Sequence, residues 1–156
     1  MTARASALAC ALALAACGKG DGAPAGERGA APPRDPLLDV AMPAGAARVE
    51  GNQFHVDAAA QAGCAAGGDC AVLADLTAAE GFKVNTEYPF KFVPAAGGAV
   101  TPAAAFAPTS VRTGRLVLRF RRPSAEPVRI AGDFKLSVCN ADRCLIETAA
   151  LAVAVP

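Results

Sequence analysis

Two features of this sequence predict an all-β fold built as an antiparallel sandwich: short runs in which large apolar residues alternate with polar ones, and turn-forming residues at the joints. The clearest run is Leu116-Val117-Leu118-Arg119-Phe120-Arg121. Successive side chains of a strand point to opposite faces, so Leu116, Leu118 and Phe120 share one face and Arg119 and Arg121 the other. Only Val117 blurs the alternation. Gly132-Asp133-Phe134-Lys135-Leu136-Ser137-Val138 repeats the device, and Leu151, Val153 and Val155 supply a last strand. Further strands are expected near residues 53–56, 70–77, 82–87 and 128–131. Gly97-Gly98, Thr113-Gly114, Arg122-Pro123-Ser124 and Gly132 separate the runs as turns. Two alanine-rich stretches, 57–61 and 77–80, are expected to make single helical turns. Strands this short and closely spaced fit a sandwich, with a small barrel as the alternative. No internal repeat is present.

These strands fall within residues 50–156, long enough for one domain with a real core and too short for two. Before them, residues 17–49 comprise Cys17 and a stretch dense in Gly, Ala and Pro, with neither a helical nor a strand period. This is read as a disordered tether with a mean reach of roughly 30 Å. Its one apolar cluster, Pro36-Leu37-Leu38-Asp39-Val40, is able to dock on the domain, although nothing in the sequence requires it.

At the start, a short basic segment precedes the uncharged run ASALACALALAA. A membrane-spanning helix needs about 20 apolar residues, whereas a secretory signal uses roughly 7 to 15 followed by small residues. Leu14-Ala15-Ala16-Cys17-Gly18 resembles the bacterial lipobox, in which the preceding bond is cut and the Cys thiol is acylated. The resemblance implies a lipoprotein signal peptide at residues 1–16 and a lipidated Cys17. The expected location is the cell envelope, on a membrane and facing the periplasm or exterior. Loss of the signal removes Arg4 and leaves 14 basic against 14 acidic residues, so composition offers no basis for a nucleic-acid partner.

Four cysteines remain in two close pairs, Cys64 with Cys70 and Cys139 with Cys144. An even number in an exported chain points to disulfides. Three connectivities exist, and the local one is the simplest. A Cys139–Cys144 bond would staple a hairpin across Asn140-Ala141-Asp142-Arg143, contributing about 2 kcal/mol in the chain-entropy model. That modest contribution leaves room for another role. A Cys64–Cys70 bond reads mainly as a loop clamp. Zinc fits poorly, because the five residues between Cys64 and Cys70 exceed the usual spacing of paired ligands.

In the segment from Gly132-Asp133-Phe134 through Cys139-Asn140-Ala141-Asp142-Arg143-Cys144-Leu145, a strand ends in Cys, a polar turn follows, and a second Cys opens the final strand. This resembles the amino-terminal periplasmic domain of the thiol:disulfide interchange protein DsbD family. Gly81-Phe82-Lys83-Val84-Asn85 is similar to the aromatic strand preceding that family's cap region, so the likeness covers roughly residues 80–155. It implies an immunoglobulin-like sandwich whose cysteine pair reduces a partner's disulfide and is itself reduced by a thioredoxin-like domain. Cys144 would then link to the partner, Cys139 would resolve the mixed bond, and Phe106 would be the cap aromatic that shields the sulfurs. Arg143 beside Cys144 favours a thiolate there, while Asp142 opposes it. The chain departs from the family at Ala104, Ala105 and Ala107, which replace acidic and tyrosyl neighbours of the cap aromatic, and at Ile146 and Glu147, where the family has Pro. It also carries neither a transmembrane electron conduit nor a thioredoxin motif, so the reductant is expected to be another protein.

Two functional readings result. The one the sequence favours is a non-catalytic, lipid-anchored envelope module with structural disulfides that binds or supports a partner protein. The other is thiol–disulfide exchange through Cys139 and Cys144 with a thioredoxin-like or other envelope protein. Solvent access separates them, since a redox pair sits exposed or under a movable cap and a staple is packed over. Neither needs a cofactor or a metal. His55 is read as a surface or packed side chain, and Ser110, Ser124 and Ser137 lack a nucleophile-elbow motif. The local excess of Arg112, Arg115, Arg119, Arg121, Arg122 and Arg129 is read as exposed edge-strand arginines that discourage aggregation, with a basic docking face as the alternative.

Overall fold

A computed structural model describes residues 34–156. The expected signal peptide, the lipidation site Cys17 and the tether through residue 33 lie outside the described residues. The fold is an antiparallel β-sandwich of the immunoglobulin-like kind, made of two sheets rather than a closed barrel. One sheet has the order β1 (Ala47–Glu50), β2 (Phe54–Ala60), β3 (Asp69–Ala78), β7 (Thr113–Arg121), β6 (Ala103–Pro108). In the other, β8 (Val128–Cys139) pairs along its whole length with β9 (Cys144–Val155). The opposite side of β8 is shared by two short strands, β4 (Lys83–Val84) and β5 (Lys91–Pro94).

Alternation builds the core as expected. Phe54, Val56, Val72, Leu76, Leu116, Leu118 and Phe120 of the first sheet face Phe134, Leu136, Val138, Leu151 and Val153 of the second. Residues 57–61, expected as a helical turn, instead extend β2 through Ala60, because Val56 and Ala58 continue the inward face and pair with Leu76 and Ala74. Thr77 and Ala78 likewise complete β3. Gly132 is not a turn: β8 runs straight through it. A side chain there would strike the Val93 carbonyl oxygen and the Phe92 ring at 2.6 Å, so glycine is what lets β5 approach.

Val117 interrupts the alternation for a reason. With Ala71 and Leu73 it forms a second apolar cluster on the outer face of the first sheet, covered by Leu37, Leu38, Val40 and Met42. The packed unit therefore begins near residue 34, not at 50, and the end of the expected tether is a strap that includes a 3-10 turn at Pro36–Leu38. Arg115 holds it. This buried side chain forms a two-pronged pair with Asp75, at 2.6 and 2.7 Å, and donates to the carbonyls of Leu37, Leu38 and Val40. The Asp75 hydrogen bond, opposed by burial, raises the Arg115 pKa. Arg119 pairs with Asp35 at the strap's start, and Arg122 donates to the carbonyls of Cys64, Ala125, Glu126 and Pro156. The reading of these arginines as exposed edge-strand charges is thus corrected for Arg115, Arg119 and Arg122, which tie segments down on or beside a strand that lies between β3 and β6, while Arg121 and Arg129 are exposed.

The strap carries a pH dependence. The Arg119 hydrogen bond, helped by the Leu37 N–H at 3.0 Å, holds the Asp35 carboxyl below the usual carboxylate range. A lowered pKa in the docked state means that docking is favoured above the ordinary value of about 3.9 and weakens as pH falls through the depressed value. The Leu37 amide proton resonance is expected to titrate with a midpoint below about 3.9, moving up in Arg119→Ala. A midpoint unchanged by that substitution would show that Arg119 does not hold the strap.

Candidate functional site

The β8–β9 hairpin closes through Asn140. Its side-chain oxygen accepts from the backbone N–H groups of Asp142 (3.0 Å) and Arg143 (2.8 Å), and its own N–H donates to the Arg143 carbonyl at 3.0 Å. Antiparallel partners alternate between hydrogen-bonded and non-hydrogen-bonded pairs, the latter closer together. The next pair outward, Cys139 with Cys144, is therefore non-hydrogen-bonded. Its Cα atoms lie 4.0 Å apart and a disulfide joins the two residues.

The two sulfurs' residues differ in surroundings. Cys139 sits on a central strand between Lys83 and Cys144 and is 5% exposed, whereas Cys144 opens an edge strand and is exposed. Beside them lies an open groove of about 510 Å³ lined by residues 83–87, Ser110, Val111, Cys139, Asn140 and Cys144. Asn85 shapes one wall. Its N–H donates to the Ser137 carbonyl and its side-chain amide to the hydroxyl of fully buried Ser137, while its side-chain oxygen accepts from the Glu87 N–H. These bonds turn the chain away from β8 and set Thr86 and Glu87 along the groove. The Val84 N–H donates to the Val111 carbonyl at 2.9 Å, placing the β6–β7 turn at the other wall with Val111 72% exposed.

The other pair is built differently. A disulfide joins Cys64 and Cys70, with Cys70 buried, and Arg122 locks the loop: its N–H donates to Gly68, its carbonyl accepts from Gly67, and its guanidinium reaches the Cys64 carbonyl. No protein family matches this chain, nor does any curated protein. Among solved structures it is similar to the N-terminal periplasmic domain of ScsB from Proteus mirabilis, at 14% identity and a TM-score of 0.44. The likeness covers 67% of this chain, which spans about half of that one (49%).

Cys139, Cys144 and Arg143 meet at the hairpin end, with Arg143 exposed in the turn. Phe106 does not join them. It stacks on Phe90 with ring centroids 3.8 Å apart, lies 5.8 Å from the Phe134 ring, and packs over Gly114, where any side chain would collide with it. The segment that faces the disulfide instead is the one following Asn85. Residue patterns did not mark Asn85, Glu87, Ser110, Val111 or Ser137 as site residues. The available cue was the polar stretch Asn85-Thr86-Glu87 directly after the strand Phe82-Lys83-Val84. His55 lies 3.6 Å from the Asp57 carboxylate, whose pKa is lowered chiefly by Arg48. Among the described residues no three His, Cys, Asp or Glu side chains gather in a way that could hold a metal ion.

Proposed function

We propose that this domain is a thiol–disulfide exchange module of the cell envelope, held to a membrane through lipidated Cys17. One observation carries the reading: within a single disulfide Cys144 is exposed beside an open groove while Cys139 is buried. That asymmetry assigns the two halves of an exchange. In the dithiol form the Cys144 thiolate attacks one sulfur of a partner's disulfide, forming a mixed disulfide and expelling the other partner sulfur as a thiolate. The Cys139 thiolate then attacks the Cys144 sulfur, closing the Cys139–Cys144 bond and releasing the partner's second thiolate. Two electrons pass to the partner, which is reduced. A dithiol protein of the thioredoxin-like class restores the chain by the reverse steps. Of the charged groups at the site, Lys83 opposite Cys139 and Arg143 next to Cys144 favour thiolates, and Asp142 in the same turn opposes them. The disulfides themselves fit an oxidising compartment outside the cytoplasm.

A module that only binds a partner, with both bonds as staples, is supported by the buried setting of Cys70. Equilibration of the intact domain in thiol–disulfide buffers, followed by differential alkylation, separates the readings. The Cys139–Cys144 couple is expected between about −120 and −270 mV, as in exchange proteins, and Cys64–Cys70 below about −300 mV. Cys139→Ala is expected to accumulate a mixed disulfide at Cys144. Both couples lying below about −300 mV, with loss of folding on reduction, would leave the binding module.

A further inference from the structure

We propose that the free edge of β9 at residues 144–148 receives the partner as an added antiparallel strand, an extended segment with a cysteine opposite Cys144. The proposal rests on the exchange reading and names the partner's chemistry: an extended polypeptide with a disulfide-bonded cysteine, docked by its backbone.

The hydrogen-bond parity of the hairpin carries it. Because Asn140 and Arg143 are bonded to each other, Cys144 is not bonded to β8 through its backbone, so its N–H and C=O point to the opposite side. The same parity is visible across β8, where the Ser137 carbonyl points away from β9 and accepts from Asn85. Ile146, the partner of Ser137, therefore also directs its backbone groups outward. Among the described residues no backbone hydrogen bond or strand pairing reaches that side of β9. Of the usual devices against edge pairing, this strand carries one, a charge on its core-facing side: Glu147, opposite the core residue Leu136. Twelve consecutive pairs with β8 run without a bulge, and the strand Cys144–Val155 contains no Pro or Lys and a single charge, Glu147.

An incoming antiparallel strand would form a hydrogen-bonded pair at Cys144, with Cα atoms about 5.5 Å apart. Disulfides span Cα distances of roughly 4.4–6.8 Å, so an intermolecular bond is within reach of that register once the two Cβ atoms close to about 4 Å. The partner's sulfur, the Cys144 sulfur and the Cys139 sulfur then lie in a row on one face of three adjacent strands. Displacement at a central sulfur requires such an alignment of attacking and leaving sulfurs. Ile146 is 71% exposed on this same face, two residues from Cys144, and supplies an apolar contact for the added strand.

The test uses the Cys139→Ala domain, whose Cys144 thiolate attacks a peptide cysteine carried as a mixed disulfide with thionitrobenzoate and expels that coloured thiolate. Three probes are compared: a Val/Thr-rich peptide with a central cysteine, the same peptide N-methylated at the backbone nitrogens that would face Cys144 and Ile146, and Ellman's reagent. The unmodified peptide is expected to react about tenfold faster than the methylated one, the loss of two hydrogen bonds. Ile146→Pro, in Cys139→Ala, removes an outward N–H without breaking a β8 bond and should slow the unmodified peptide by a similar factor, leaving Ellman's reagent unaffected. Equal rates for both peptides, with Ellman's reagent reacting readily, would overturn edge docking and leave exchange standing. Failure of Cys144 to react with Ellman's reagent would overturn the exchange reading itself. A domain that sediments as a dimer dissociated by Ile146→Pro would assign the edge to a second copy and also overturn the proposal.

Discussion

Arg115→Ala is expected to lower the stability of the domain by about 3 kcal/mol, read as a fall in the urea midpoint at unchanged slope. The guanidinium is buried and has four partners: the Asp75 carboxylate and three strap carbonyls. Removing it leaves a carboxylate without its counter-ion and strips the strap of its fixed point. Because Asp75 is itself a third exposed, water compensates part of the loss, which places the effect at the low end of the range for a broken buried pair. Release of the strap would also uncover Leu73 and Val117, so cleavage by protease within residues 34–46 should become rapid. An unchanged midpoint would mean that the strap adds nothing to the folded state.

Phe134→Ala is expected to cost about 3–5 kcal/mol. Phe134 is fully buried in the middle of β8, held between β5 and β9, with the Phe90 and Phe106 rings 6.0 and 5.8 Å away. Backbone ladders on both sides prevent the strand from closing over the space, so the cavity persists. Phe106→Ala, at the half-buried end of the same aromatic group, should cost about 2–3 kcal/mol. Its rate of reaction at Cys144 should equal that of the parent domain, because the ring does not line the groove. An acceleration of exchange in Phe106→Ala without loss of stability would restore Phe106 to the role of a shield over the sulfurs.

The strands with strict alternation were legible because period-2 patterns have one physical cause, a sheet with one buried face. Errors arose where that condition fails. Residues 57–61 look helical by composition, since alanine favours helix, but their burial against β3 overrides a weak local preference. Gly132 looks like a turn because glycine is common in turns, yet here it answers to a neighbouring strand that approaches through space. The short strands β1, β5 and β6 carry too few large residues to show a period at all.

By itself the sequence determined the β class and the hairpin between Cys139 and Cys144, which follow from local spacing, and left three cysteine connectivities of which the local one was the simplest. Tertiary structure decided what those cysteines face. Exposure of Cys144 and burial of Cys139 depend on one strand being at a sheet edge and the other being central, and strand order is a long-range property. The groove depends on Asn85 meeting Ser137, 52 residues away, and the roles of Arg115 and Arg119 depend on a strap some 80 positions earlier. Such partners leave no periodic trace in the chain, because contacts made through space constrain each residue by its neighbour's position and not by its own place in the sequence.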